Sequence, residues 1–129
     1  MNSLNKNILS FNSLSDANDA LLELFSELPK PISRILLSGG STPISFYELL
    51  SKKDINWSNY LISLSDERRV EVSSSLSNEG TIKRIIYDHS FNNSFVSLLD
   101  DDSESKLNSI ASYDLCILGM GNDGHIASI

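Results

Sequence analysis

A strand, a glycine turn and the start of a helix follow one another directly in Arg34-Ile35-Leu36-Leu37-Ser38-Gly39-Gly40-Ser41-Thr42-Pro43. The apolar run that ends at Leu37 is typical of a strand buried in a sheet. Pro43 suits the first position of a helix, and Thr42 is placed to cap it. Apolar side chains within residues 46–50 give that helix an apolar side. The segment therefore predicts a strand that passes through a tight turn into a helix.

The same order of elements recurs along the chain. Apolar runs at 60–64 and 114–118 predict two further buried strands. Helical spacing predicts a helix that is capped at Ser15 or Asp16 and ends before Pro29, and another helix over 78–87. Short apolar strands that alternate with helices predict an α/β fold, a Rossmann-like parallel sheet with helices on both faces. We expect a single domain over residues 1–129, because no linker or internal repeat divides the chain.

Three weaker patterns add elements to this framework. Residues 8–11 suggest a short edge strand, and residues 95–99 suggest a second short strand. Residues 103–110 suggest a helix of low intrinsic strength.

Charge and composition exclude several classes of function. The chain has 129 residues and a formal net charge of −7, so its overall field disfavours nucleic acid and anionic membrane surfaces as partners. No run approaches the ~20 apolar residues of a membrane helix, and the first seven residues lack the apolar segment of a secretory signal. The single cysteine, Cys116, lies in an apolar run and is predicted to be a buried thiol. These features favour the cytoplasm.

Each predicted strand ends in a polar cluster, and ligands of open parallel sheets bind at the carboxyl ends of the strands. The first cluster is the turn that contains Gly39, Gly40, Ser41 and Thr42. Its backbone N–H groups, its hydroxyls and the positive end of the following helix suit a phosphate. A tight turn with a helix cap explains the same residues, so this segment alone leaves both interpretations open.

The second cluster is Asp66-Glu67-Arg68-Arg69. A charged loop in solvent is the simpler interpretation of such a cluster. Its position after a buried strand favours a functional interpretation, in which Asp66 orients water or a sugar hydroxyl. An arginine of the cluster would then pair with a phosphate or with a developing oxyanion.

The third cluster is Gly119-Met120-Gly121-Asn122-Asp123-Gly124-His125, which matches the Gly-x-Gly-x-x-Gly pattern of dinucleotide sites. We reject that interpretation, because the pattern belongs to a first βαβ unit and needs an acidic residue about 20 positions later. Asp123 and His125 instead place a carboxylate and an imidazole in one loop, and histidine is the usual acid or base near neutral pH. His89 is interpreted as an ordinary surface residue. The spacing of histidine and cysteine predicts no metal site.

Taken in order, the three clusters resemble the 6-phosphogluconolactonase family. The matching segments are Leu37–Pro43, Ser65–Val70 with Ser77-Asn78, and Leu118–Ser128, with Trp57 before the second strand. The resemblance implies hydrolysis of 6-phospho-D-glucono-1,5-lactone to 6-phosphogluconate in the oxidative pentose phosphate pathway, without a metal or organic cofactor. It also implies a further C-terminal part, so the fold is expected to be C-terminally incomplete. Whether the chain is active as given, and its oligomeric state, stay open.

By the same resemblance, His125 is the general base for water, the acid that later protonates the ring oxygen, or both, and this choice stays open. Arg68 stabilises charge at the carbonyl or holds the substrate, and Asp66 positions hydroxyls or His125. The resemblance assigns the phosphate and the other substrate contacts to Gly39, Gly40, Ser41, Thr42, Gly121 and Asp123.

The related glucosamine-6-phosphate isomerase/deaminase family shares this fold and is the first alternative. Its members tend to have Asp-Glu-Tyr at Asp66-Glu67-Arg68 and Ala-Phe-Asn from Ala127 onward, so both segments favour the lactonase. Ile126 favours the deaminase. The second alternative is a sugar-phosphate sensor domain without turnover. Such a domain usually follows a DNA-binding segment, for which the residues before Ile8 leave no room.

Overall fold

The structure, a computed structural model, describes residues 8–110 and 112–120. The helices of this part are α1 (Leu14–Ser26), α2 (Ile44–Ser51), α3 (Asn78–Ile85), α4 (His89–Asn93) and α5 (Ser103–Asn108). The strands are β1 (Ser33–Leu37), β2 (Tyr60–Leu64) and β3 (Leu115–Cys116), and a short 3₁₀ turn, Trp57–Asn59, leads into β2. This alternation confirms the predicted α/β class.

The three strands form one parallel sheet in the order β2-β1-β3. β1 pairs with β2 along its whole length, from Ser33 opposite Tyr60 to Leu37 opposite Leu64. On its other side β1 pairs with β3, where Ile35 lies opposite Leu115. Because the strands are parallel and β1 is central, the turn that follows β1 starts between the segments that follow β2 and β3.

Both faces of the sheet are covered along β2. Ile62, Ser63 and Leu64 are consecutive and all buried, and consecutive side chains of a strand point to opposite faces. The Ser63 hydroxyl hydrogen-bonds the Tyr113 hydroxyl at 2.7 Å, so the one polar side chain among the three has a partner. Continuous burial on both faces explains why the strand appears in the sequence as an apolar run rather than as an alternating pattern.

Aromatic rings join α1 to the sheet at the end where the strands begin. Phe25, the buried residue of α1, stacks on Tyr60 at 5.0 Å between ring centroids. Trp57 packs edge-on against Phe91 of α4 at 4.9 Å. These contacts link α1, the 3₁₀ turn, β2 and α4 into one core.

Several local predictions are corrected by the structure. Residues 8–11 form no strand; Ile8 is 91 % exposed, and an apolar run alone does not supply the sheet edge that a strand needs. In the 95–99 segment, Phe95 forms only an isolated parallel bridge with Ile62. The cap of α1 is Ser13, whose Oγ accepts a hydrogen bond from the Asp16 N–H, rather than Ser15 or Asp16.

Two further corrections concern β3 and α2. Cys116 is exposed, not buried, because the two-residue β3 is paired on one side only among the described residues. The residue that caps α2 is Pro43, and the predicted Thr42 cap is absent. Within the described ranges, no helix has both the length and the apolar character needed to cross a membrane.

Gly80 lies buried in the first turn of α3, against the loop that follows β2. A Cβ atom added at Gly80 would lie 1.9 Å from the backbone carbonyl oxygen of Val72. This contact brings the 70–77 segment against α3, and only a residue without a side chain permits it.

We expect Gly80→Ala to lower the free energy of unfolding in urea by ~1–3 kcal/mol, because the added methyl overpacks against backbone. In a helix without such a contact the same change stabilises by about 1 kcal/mol. Ser105→Ala, at an exposed position of α5, is the control and should change stability by less than ~0.5 kcal/mol. A Gly80→Ala protein as stable as wild type would contradict the Val72 contact.

Candidate functional site

The segments that follow β1 and β2 enclose a cleft of about 210 Å³ together with α2 and α3. Its lining residues come from four elements: Gly39, Gly40, Ile44, Tyr47, Arg68, Ser75, Asn78, Thr81 and Ile82. A larger cavity, of about 500 Å³, lies at the opposite end of the strands and contains none of the predicted site residues. The smaller cleft is the candidate site, because it combines an arginine with the glycine turn.

The turn after β1 is shaped by its two glycines. A Cβ atom added at Gly39 would lie 2.1 Å from Oδ1 of Asn78, so the first residue of α3 packs directly on the turn. Gly40 has a φ of +89°, a backbone conformation that favours glycine. Both features bring backbone rather than side chains to the wall of the cleft.

Tyr47 of α2 fixes the start of this turn. Its hydroxyl donates to the Ser38 carbonyl at 2.6 Å and accepts from the Ser38 N–H at 3.1 Å. Burial raises the pKa of Tyr47 to about 12, although the hydrogen bonds with Ser38 act in the opposite direction. The phenol therefore keeps its proton at neutral pH and holds the end of β1 against α2.

α2 begins beside the turn without a side-chain cap among the described residues. The first N–H groups of a helix have no acceptor within the helix. They point toward its N-terminus, which carries a partial positive charge. Ser41 and Thr42, just before this helix, are exposed. Apart from the N–H groups of Phe46 and Tyr47, which donate to the Pro43 carbonyl, the start of α2 thus presents donors that no side chain of the described residues caps.

Arg68 is the charged residue of the cleft lining. One of its guanidinium nitrogens, Nη1, donates to the Leu76 carbonyl at 2.9 Å. No carboxylate within residues 8–110 and 112–120 lies at salt-bridge distance from Arg68. Arg69 lines a separate groove with Glu71 and Leu99. Of the two arginines, Arg68 is therefore the one that faces the glycine turn.

Glu67 turns away from the cleft, toward the N-terminus of α3. Its Oε1 accepts from the N–H groups of Arg68 (2.7 Å) and Asn78 (2.8 Å). Its Oε2 accepts from the Glu79 N–H (2.9 Å) and from the Ser77 hydroxyl (3.0 Å). Burial by itself raises the pKa of Glu67, but the hydrogen bonds together outweigh burial and hold this pKa below its usual value.

Asp66 does not line the cleft. Its Oδ1 accepts a hydrogen bond from the Ser65 hydroxyl at 3.0 Å, and its backbone carbonyl accepts one from Nδ2 of Asn78 at 3.2 Å. Asn78 therefore contacts both the segment after β1, at Gly39, and the segment after β2.

Of the predicted site residues, the structure brings Gly39, Gly40 and Arg68 together around one opening. Gly119, the first residue of the third cluster, lies beside Pro43: a Cβ atom added at Gly119 would lie 3.8 Å from Cδ of Pro43. The third cluster therefore starts at the same edge of the sheet. Three of the predicted residues lie outside the described part of the chain: Gly121, Asp123 and His125.

Several residues of the cleft do not follow from the sequence pattern. The sequence predicts Tyr47 only as part of the apolar side of α2 and does not single out Ile82, because apolar spacing does not separate a core residue from a cleft residue. Asn78 and Thr81 follow a loop of ten or more residues, so their proximity to Gly39 and Arg68 depends on tertiary packing. Within the described residues, no three potential metal ligands lie together.

A family model described as glucosamine-6-phosphate isomerases/6-phosphogluconolactonase matches residues 16–129. The chain belongs to this family. The predicted family resemblance is thereby confirmed, and the curated relatives include the 6-phosphogluconolactonases of Helicobacter pylori (33 % identical over 95 % of this chain) and Neisseria meningitidis (35 % over 91 %). The chain spans 60 % and 55 % of the lengths of these two relatives.

Solved structures of the family have the same fold. The 6-phosphogluconolactonase structure from Shewanella baltica aligns over 92 % of this chain with a TM-score of 0.76 and 30 % identity, and the chain covers 58 % of it. The structure from Thermotoga maritima aligns over 94 % with the same TM-score and 28 % identity, and the chain covers 62 % of it. The parallel sheet with its helices is therefore the fold of this family.

The contact between Gly39 and Asn78 predicts a rescue. Gly39→Ala should lower the free energy of unfolding by ~1–3 kcal/mol, because the new methyl overlaps the Asn78 amide. In an Asn78→Ala background the three nearest atoms are gone, and the same change should cost less than ~1 kcal/mol. Urea denaturation of the wild type, both single variants and the double variant measures this coupling. Equal costs of Gly39→Ala in the two backgrounds would contradict the contact.

Proposed function

We propose that the protein hydrolyses 6-phospho-D-glucono-1,5-lactone to 6-phosphogluconate. The observation that carries this proposal is the cleft in which the glycine turn after β1 faces Arg68 after β2. One side offers backbone donors for a phosphate, and the other offers a guanidinium for a second negative charge. The curated relatives and the solved structures described above are 6-phosphogluconolactonases by name, which supports this choice.

The phosphate is proposed to bind at the start of α2. Gly39 and Gly40 let it approach the backbone closely, and the helix N-terminus, which no described side chain caps, provides N–H groups and a favourable dipole. Ser41 and Thr42 would add hydroxyl donors from their exposed positions. α3 lacks this capacity, because Glu67 and Ser77 already accept from the N–H groups of its first turn.

For the ring-opening step, Arg68 is proposed to stabilise the negative charge that forms on the carbonyl oxygen when water attacks C1. His125 would remove the proton from that water and return it to the ring oxygen as the C1–O bond breaks, which leaves the free acid. Asp66 would position a substrate hydroxyl or His125. Gly121 and Asp123 would complete the substrate contacts. The roles of His125, Asp66, Gly121 and Asp123 rest on the family resemblance.

The family description covers both lactonases and isomerase/deaminases. Arg68 favours the lactonase, because the deaminase pattern has a tyrosine at this position and would leave the cleft without its guanidinium. A cytoplasmic location is proposed with this function, since an exposed thiol such as Cys116 persists best in a reducing compartment.

The test is a paired assay on the full-length gene product. Acid release from 6-phosphogluconolactone is measured against the spontaneous rate, and ammonia release from glucosamine 6-phosphate is measured in parallel. We expect acid release well above the blank and no ammonia. Ammonia release would assign the protein to the deaminase branch. No activity of a folded protein in either assay would overturn an enzymatic role on these substrates.

Arg68 and Arg69 form a matched pair for mutagenesis, since both are exposed arginines of one loop. Arg68→Ala should lower kcat/KM for the lactone by ~100- to 1,000-fold, the usual effect of removing a donor to an oxyanion. Arg69→Ala removes the same charge from a groove outside the cleft and should change kcat/KM by less than ~3-fold. Equal losses in the two variants would indicate a general electrostatic effect and remove Arg68 from the mechanism.

A further inference from the structure

Glu67 stands between the two parts of the site that must be held in place. It accepts from the backbone of Arg68 on one side and from the backbone of Asn78 and Glu79 on the other. Arg68 and Asn78 both line the cleft, whereas Glu67 does not. A single carboxylate therefore ties the loop that carries the guanidinium to the helix that packs on the glycine turn.

Only an ionised carboxylate satisfies this arrangement. All four partners are donors, three backbone N–H groups and the Ser77 hydroxyl. In a glutamine at this position, the NH₂ group would replace one of the two acceptor oxygens. Its two N–H donors would then face backbone N–H donors, at the positive end of a helix. An aspartate keeps the charge but is one methylene shorter, so it reaches fewer of the four.

The remaining N–H groups of the first turn of α3 are also occupied. The Gly80 N–H donates to Oγ of Ser77 at 3.0 Å, and the Thr81 N–H donates to the Ser77 carbonyl at 3.0 Å. The N-terminus of α3 therefore already has an anion from within the chain, whereas α2 starts with no side-chain cap from the residues that the structure describes. Of the two described helices that begin at this cleft, α2 is therefore the one whose start is available to a ligand's anion.

We infer that Glu67 is a positioning residue that acts as a built-in anion: it closes the N-terminus of α3 to the substrate's phosphate and fixes Arg68 opposite the glycine turn. The inference rests on the proposed function for its substrate and on the four hydrogen bonds for its geometry. Binding of the phosphate at α2 alone sets the direction of the substrate in the cleft, with its carbonyl end toward Arg68.

Kinetics of the full-length protein test the link to Arg68. Glu67→Gln should lower kcat/KM for the lactone by ~10- to 100-fold, because a displaced guanidinium no longer meets the oxyanion. In an Arg68→Ala background the same change should cost less than ~3-fold, since residues that act as one unit are not additive. Glu67→Asp, which keeps the charge, should recover part of the loss and serves if Glu67→Gln folds poorly. Multiplicative losses would overturn the positioning role.

Glu71→Gln is the control, because Glu71 is exposed in the same loop and lines the separate groove with Arg69. It should leave kcat/KM within ~3-fold of wild type. A loss as large as that of Glu67→Gln would show that loop charge, not the hydrogen bonds of Glu67, is what matters.

The pH dependence of stability gives a readout without turnover. The charged residues beside Glu67 are Asp66 and Arg68 in its own loop, and Glu79, paired with Lys83, on α3. Because folding lowers the pKa of Glu67, its stabilisation is present above the unfolded pKa of about 4.3 and is lost as pH falls through the folded pKa. Wild type should exceed Glu67→Gln in urea stability at pH 7, and the difference should shrink on acidification. A difference independent of pH would contradict the ionised cap.

Titration of the full-length protein with inorganic phosphate, monitored by NMR of the backbone amides, tests whether Glu67 closes the N-terminus of α3 to anions. In wild type we expect shifts at Thr42 and Ile44 and none at Asn78 and Glu79. In Glu67→Ala the amides of Asn78 and Glu79 should respond as well, because their N–H groups have lost their acceptor. The same pattern of shifts in Glu67→Ala as in wild type would contradict the role of Glu67 as a built-in anion. If wild type lacks lactonase activity but these responses are as expected, the proposed substrate fails while the role of Glu67 at α3 stands.

Discussion

The parallel pairing of β1 with β2 is the interaction on which the rest of the molecule depends. The ladder continues to the last residue before the site, where the Ser65 N–H donates to the Leu37 carbonyl at 2.8 Å. β1 and β2 therefore end at the same edge of the sheet, and the glycine turn starts beside the loop that carries Arg68. A slip of one residue would turn Ile62 from one face to the other and carry Arg68 away from the turn.

The parts of this fold that follow from sequence are those buried on both faces. The apolar runs at 34–37 and 60–64 predict β1 and β2 to within one residue, since continuous burial needs continuous apolar side chains. Residues 8–11 have a similar local pattern but no strand partner in the described structure. Cys116 also lies in an apolar run, yet the two-residue β3 leaves it exposed. Apolar character predicts a strand; whether a strand has neighbours depends on packing between distant segments.

The site, too, has parts that follow from the sequence and parts that depend on packing between distant segments. The convergence of the turn after β1 with the loop after β2 follows from parallel topology, and the structure confirms it for Gly39, Gly40 and Arg68. The direction of the Glu67 side chain does not follow from the sequence, because contacts with α3, more than ten positions later, decide it. Asn78 packs on Gly39, and the start of α3 supplies the donors that turn Glu67 away from the cleft. Neither contact leaves a periodic trace in the sequence.

Anion binding by a chain of net charge −7 is a question of local geometry. Exposed charges more than about 10 Å apart are largely screened at 0.1 M salt, so the groups at the cleft decide its potential. Arg68 lies there, and α2 adds the dipole of its N-terminus; within the described residues, no carboxylate lies at salt-bridge distance from Arg68 and no side chain caps α2. The carboxylate of the adjacent residue, Glu67, points away from the cleft and accepts hydrogen bonds from four donors there. The same hydrogen bonds that hold the loop in place therefore keep its negative charge away from the proposed phosphate site.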